Sequence, residues 1–323
     1  MSTYGYVPYS PQADKQYWLS CAARVITEYR DELPLTVRQI FYRLVAAHDF
    51  PKTEASYVRL AEMLTRARRA SMLHPEKRGG TPLIPFAAIR DDKLRASQVG
   101  FYSDPDEFKE ELLDSARGYA RDRQEGQPQH IEMWCEAAGM LPVLSSIARP
   151  YSIRTSSSGG YDSITTKHRL ASRIAERWRE DKQPTLLLHV GDFDGSGEDM
   201  YDNLHNDVGT MVYQLTGALG DAYDTERVAL TAQQVMDRDV ITAPPKPSDS
   251  RTKRFVERHW EVVDWHGDTD ISAQLEALTP TDLRELFEEV ITGHLDMDAY
   301  QDVLDKEEEE RNALQEALDN IEL

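Results

Sequence analysis

The segment Pro184-Thr185-Leu186-Leu187-Leu188-His189-Val190 constrains the fold more than any other stretch of the chain. A half-exposed strand alternates apolar and polar residues, because successive side chains point to opposite faces. A short run that is nearly all apolar fits a strand covered on both faces, the situation of a central strand in a parallel sheet. Around it the texture alternates. Residues 130–135, 151–155 and 227–231 read as strands, and 137–147, 164–180 and 198–219 as helices. Strands alternating with helices predict an α/β fold built on a central parallel sheet.

Directly after that run comes Gly191-Asp192-Phe193-Asp194-Gly195-Ser196-Gly197. Asp192 and Asp194 stand at i and i+2, so at a strand end both carboxylates face the same way. They would project from the carboxyl edge of the sheet, where open α/β sheets place their ligands. Hard oxygen donors without His or Cys neighbours suit Mg²⁺ rather than Zn²⁺. The Gly195-Ser196-Gly197 turn would let a phosphate approach the start of the next helix. The same residues serve equally well as a solvated turn and a helix cap. Glu136 follows an earlier strand of the same sheet, whereas Glu132 lies inside that strand. The chain contains no phosphate-binding G-x-x-x-x-G-K-[ST] motif, no H-E-x-x-H pair and no nucleophile elbow; Ser156-Ser157-Ser158-Gly159-Gly160 reads as a flexible loop.

The N-terminal part has a different character. Residues 1–12 form a Tyr- and Pro-rich arm, and three helices are expected over 14–31, 37–47 and 53–69, with Thr36 and Thr53 as N-caps. An irregular stretch with Gly79, Gly80, Pro82 and Pro85 follows, the layout of a winged-helix-like module. In the second helix Val37, Ile40, Phe41, Leu44 and Val45 make the apolar stripe. Tyr42 falls off that stripe and Arg38 lies four residues before it, on the same face. An exposed Tyr beside an Arg could be a nucleophile; equally it could rest its ring on the core with its hydroxyl in water. The third helix sets Arg59, Arg66 and Arg69 away from its apolar stripe, a face fit for phosphate contacts or for plain solvation. Lys246, Arg251, Lys253 and Arg254 form a second basic cluster in a loop over 243–254, either a DNA clamp or a mobile segment.

Charge separates the chain in the same way. Net charge is −20, yet residues 1–100 carry 15 Lys and Arg against 10 Asp and Glu, while the remainder carries 22 against 47. A basic first part suits a polyanion, and an acidic second part suits a metal ion. The C-terminal helices expected at 280–293 and 297–319 are strongly acidic. Two distant cysteines, Cys21 and Cys135, offer neither a disulfide framework nor metal-ligand spacing. With no signal pattern and no apolar run long enough to cross a bilayer, the expectation is a cytoplasmic protein without a membrane partner.

Glu136 and Asp192-Phe193-Asp194 resemble the metal-binding carboxylates of the Toprim domain of topoisomerases, primases and some nucleases. Arg38-Gln39-Ile40-Phe41-Tyr42 in turn looks like the Arg-x-x-Tyr-Tyr signature of the topoisomerase VI A subunit and of its relative, the meiotic double-strand-break transesterase. The sequence departs from that pattern at Phe41, where the first Tyr stands, at Ala137, usually Lys, and at Gly195, usually Pro. The resemblance implies a winged-helix-like domain over 1–127, a Toprim domain over 128–300 and an acidic helical tail over 301–323. It implies a homodimer acting on double-stranded DNA through Mg²⁺, with a separate ATPase subunit for strand passage. Tyr42 would be the nucleophile forming a 5′-phosphotyrosyl link, Arg38 would steady developing charge, Glu136 would be a ligand or acid–base group, and Asp192 and Asp194 would be ligands. The alternatives are a Toprim-type endonuclease using water and a non-catalytic DNA-binding subunit.

Overall fold

A computed structural model of the 323-residue chain describes residues 8–70, 72, 82–90, 102–157, 164–218, 220–244 and 250–320. Helices α1 (Ala13–Glu28), α2 (Val37–His48) and α3 (Glu54–Arg69) come first, and two short strands, β1 (Leu35–Thr36) and β2 (Ile89–Arg90), frame the latter pair. After α4 (Pro105–Arg117) the chain alternates through β3 (His130–Cys135), α5 (Leu141–Ala148), β4 (Arg154–Ser157), α6 (Ile164–Asp181), β5 (Thr185–Val190), α7 (Gly195–Thr216) and β6 (Tyr223–Ala229). It closes with α8 (Ala232–Asp237), α9 (Thr252–Arg258), α10 (Trp260–His266), α11 (Pro280–His294) and α12 (Met297–Asp319). The fold is α/β and predominantly helical, with a central parallel sheet of four strands. Among the described residues, no helix is long and apolar enough to cross a membrane.

The chain divides into two compact units that are not continuous in sequence. One comprises residues 1–92, 191–199 and 229–285, and the other 93–190, 200–228 and 286–323.

In the second unit the sheet order is β4-β3-β5-β6. β3 runs parallel to β4 and to β5, with Cys135 opposite both Ser157 and Val190. All six residues of β5 are buried, as its apolar run requires of an inner strand. Leu187 and Trp134 pack on one face with Leu170, Ala171 and Ile174 of α6 and Leu204, Val208 and Val212 of α7. Burying each of the leucines, valines and isoleucine there contributes roughly 1.5–3 kcal/mol. The same face carries Glu132, which is only 2% exposed. Arg173 and Arg177 of α6 reach its two oxygens at 2.7 and 3.5 Å. β4 lies at 154–157 rather than 151–155, because a 3-10 turn occupies Arg149–Tyr151.

In the first unit α2 begins with a capping box. The Thr36 hydroxyl accepts from the Gln39 N–H at 3.1 Å, and the Gln39 side chain accepts from the Thr36 N–H at 2.8 Å. Thr53 caps α3 through the Ser56 N–H alone, without the reciprocal side-chain bond. The core here is aromatic: Phe41 meets Phe50, Tyr57 and Tyr42 edge-on, and Trp18 meets Phe50. β1 and β2 form a parallel pair of two residues each, with Leu35 opposite Ile89. Gly79, Gly80, and the arm residues up to position 7 lie outside the described residues.

Candidate functional site

The acidic triplet belongs to the first unit, and its backbone is fastened on both sides. Gly191 continues the line of β5 by exchanging hydrogen bonds with 229–230, its N–H to Ala229 at 2.7 Å and its carbonyl from Leu230 at 2.7 Å. Phe193 pairs antiparallel with Ala273 through bonds of 2.8 and 2.9 Å. The Phe193 ring is buried against Phe255 of α9 and against His259. The two carboxylates therefore flank a buried anchor.

Each carboxylate also binds backbone. Asp192 Oδ1 accepts from the Leu275 N–H at 2.9 Å. Asp194 Oδ1 accepts from the Gly197 N–H at 2.7 Å. Asp194 thus caps α7, which starts at Gly195 and not at residue 198 as the sequence suggested. The close approach at Gly195 is made by the protein itself: a Cβ there would sit 3.1 Å from Arg251 Cβ and 3.3 Å from its carbonyl carbon. The glycine admits the chain at Arg251, whose guanidinium then pairs with Asp199 at 2.8 Å.

Tyr42 departs from expectation. It is 6% exposed, not a surface residue. The segment Gln274–Ala277 covers its side of α2: the Tyr42 hydroxyl donates to Gln274 Oε1 at 2.9 Å, and Arg43 donates to the Ala277 carbonyl. Nothing local announces this, since Gln274 lies 232 residues downstream. Burial pushes the Tyr42 phenol up to about 12; Arg38 pulls it down, and Glu276 and Asp192 push it further up. Glu276 is itself buried, and burial raises its carboxyl while Arg38 lowers it. Arg38 also lies over the Tyr57 ring at 5.6 Å.

Tyr42 and Arg38 share a cleft of about 240 Å³ with Lys52, Glu54 and Gln274. The Lys52 ammonium is buried there without a hydrogen-bond partner. Burial lowers it to about 8, against the opposing pull of Asp270. Lys52 and Gln274 escaped the sequence reading. Lys52 had a weak local signal, its position just before the Thr53 cap; Gln274 had none.

Tyr42, Arg38, Asp192 and Asp194 are thus brought into one unit, and Gln274–Leu275 ties Tyr42 to Asp192. Glu136 belongs to the other unit. It is the residue after β3, and its N–H donates to the Val190 carbonyl at 2.9 Å. Among the described residues, no three His, Cys, Asp or Glu side chains are grouped to hold a metal ion. Mg²⁺ commonly takes only one or two carboxylates and completes its shell with substrate phosphates and water. The all-oxygen pair Asp192 and Asp194 matches that donor set.

The basic residues have mixed surroundings. Arg59 pairs with Asp14, and Arg66 pairs with Glu62 at 2.8 Å while lying 5.7 Å from the Tyr9 ring centre. Arg69 is half-buried at the end of α3. Lys246 lies outside the described residues. The stretch expected as loop becomes helix from Thr252 onward, because Phe255 anchors it on Phe193. Lys253 and Arg254 are exposed in its first turn, Lys253 at 3.8 Å from Glu257.

Compared with protein-family models and with curated proteins, the chain matches none.

Proposed function

We propose that this chain is a Mg²⁺-dependent, DNA-cleaving transesterase of the topoisomerase VI A-subunit kind, with a winged-helix-like part and a Toprim-like part. The supporting observation is the link Tyr42–Gln274–Leu275–Asp192, which ties the candidate nucleophile to the acidic triplet across distant stretches of the sequence. The Tyr42 oxygen would attack a backbone phosphorus, the bond from phosphorus to the 3′-oxygen would break, and a 5′-phosphotyrosyl link would remain. The phenol must shed its proton first. Its burial opposes this, and the neighbouring Arg38 favours it. Arg38 lines the cleft with a guanidinium for the phosphate oxygens, and the buried Lys52 ammonium adds positive charge to it. Asp192 and Asp194 would hold Mg²⁺, which supplies charge neutralisation at the phosphate when bound. Glu136 would act as acid–base group or further ligand. A homodimer, a separate ATPase subunit and double-stranded DNA as substrate follow from the same reading.

The burial of Tyr42 favours a second reading, a metal-dependent endonuclease that activates water and uses Tyr42 only structurally. One experiment separates them. DNA is incubated with the protein and Mg²⁺, denatured, and its 5′ ends tested for bound protein. The transesterase gives protein-linked ends that vanish in Tyr42→Phe and in Asp192→Asn/Asp194→Asn. Free ends, with Tyr42→Phe still cutting, overturn it in favour of the endonuclease. DNA binding without cleavage under any condition leaves a non-catalytic subunit.

A further inference from the structure

The second unit carries an arginine-lined concavity that the acidic composition of the chain gives no reason to expect. It has a volume of about 900 Å³ and is open to solvent. Arg117, Arg121, Arg123, Arg149, Arg154 and Arg311 all line it, with Asp122 as the acidic residue among them.

Four of these arginines are held by carboxylates. Arg117 pairs with Asp114 at 2.6 Å, and Arg121 with Glu125 at 2.7 Å and Glu310 at 2.6 Å. Arg123 reaches buried Glu307 at 2.9 Å, and Arg311 shares the same carboxylate. Arg117 pairs within its own helix, and Arg121, Arg123 and Arg311 fix α12 against residues 119–123, so all four have a structural reason to be there. Arg149 and Arg154 do not. Both are exposed, and among the described residues neither has a carboxylate within ion-pairing distance. Arg149 closes α5, where a cation suits the helix dipole to a modest degree. Arg154 opens β4, the edge strand of the sheet, and has no such role. Ser145 and Ser146 line the wall beside them, their hydroxyls bonded to Thr155 and to the Val143 carbonyl.

Guanidinium forks match the oxygens of phosphate and carboxylate groups. A small phosphorylated ligand usually sits in a cavity that buries most of its surface. An open wall instead suits a polymer running along it. We infer that this concavity binds the phosphodiester backbone of nucleic acid, with Arg149 and Arg154 as the contacts that carry the charge. Only the choice of polymer rests on the function proposed above.

The test reads binding of a short labelled DNA duplex by fluorescence anisotropy in EDTA, over a range of salt concentrations. Each phosphate neutralised contributes about 0.9 to the slope of log affinity against log salt. Arg149→Gln/Arg154→Gln should weaken binding about ten-fold or more and flatten the slope by about 2, with unchanged thermal unfolding. Arg149→Lys/Arg154→Lys should keep the slope. Unchanged affinity and slope in the Gln variant overturn the inference. So does a variant that loses competition by a free nucleoside triphosphate yet binds duplex normally. If the double variant melts early, Arg154→Gln alone is read, expecting a slope change of about 1. EDTA removes cleavage from the measurement. A failed binding result therefore leaves the transesterase reading standing, and a failed cleavage result leaves the binding site standing.

Discussion

The Tyr42 hydroxyl donates to Gln274 Oε1 at 2.9 Å, in a place where Tyr42 is almost fully buried. A buried hydroxyl left without a partner costs about 1–3 kcal/mol. Gln274→Leu should therefore destabilise the protein by an amount in that range. The double variant Gln274→Leu/Tyr42→Phe should cost less than the two single losses combined, because the pair fails together. A double-mutant cycle in urea should give a coupling of about 1 kcal/mol. Additive losses would show that the two residues are not bonded in solution.

The two glutamates at β3 should behave oppositely. Glu132 sits buried between Arg173 and Arg177. Removing it leaves two guanidinium groups facing a buried void, a loss of about 3–5 kcal/mol. Glu132→Ala should lower the urea midpoint strongly. Glu136→Gln should leave the midpoint close to that of the unmodified protein and abolish DNA cleavage. A stable Glu132→Ala, or a Glu136→Gln that cleaves normally, would reverse the assignment made from their positions inside and after the strand.

These two cases show what the sequence makes legible. Local patterns were readable: the Thr36 cap with Gln39 three residues on, the strand over 130–135, and the wholly buried strand before Gly191. Each depends on neighbours within a turn or a strand. β6 is expected at 227–231 but runs Tyr223–Ala229, because its start, Asp224 to Arg227, is polar and partly solvated, and Thr231 caps α8. The site was half legible. Arg38, Tyr42 and the acidic triplet stand out by type and spacing. The burial of Tyr42 depends on Gln274, and the tight spot at Gly195 on Arg251, and neither partner carries a periodic signal. Arg149 and Arg154 look like ordinary surface residues until the fold sets them along one wall.

Two histidines, half-buried His130 and buried His189, contribute to the acid response. Burial and the charge of Arg177 push His130 down to about 4, and burial and Arg227 push His189 down to about 3. Both stay neutral when folded, whereas an unfolded histidine takes up a proton near pH 6.5. Below that pH the unfolded chain binds more protons, so stability is full above about pH 6.5 and falls as pH drops toward 4. His189 packs against Tyr201 at 5.1 Å, and its Nδ1 has no hydrogen-bond partner. His189→Leu should reduce the slope of stability against pH in that window by up to about 1.4 kcal/mol per pH unit. Urea midpoints that fall equally steeply in both proteins would assign the acid response elsewhere.

Gly195 provides the sharpest test of how the acidic triplet is held. A methyl group there meets Arg251 Cβ at 3.1 Å and its backbone at 3.3 and 3.4 Å, so the chain at 251 has to move. That movement is resisted twice. Arg251 is paired with Asp199 on α7, and four residues on Phe255 is packed on Phe193, inside the triplet itself. Overpacking of this kind costs about 1–3 kcal/mol. Gly195→Ala should therefore lower the melting temperature and also weaken cleavage, since Phe193 sets the aim of Asp192 and Asp194. Gly293 is the control. It is helical and exposed, and a Cβ there meets nothing within 4 Å. Gly293→Ala should raise stability by about 0.5–1 kcal/mol through helix propensity alone. If both variants are stabilised, α9 is not seated on α7 as described, and the rigid placement of the two aspartates goes with it.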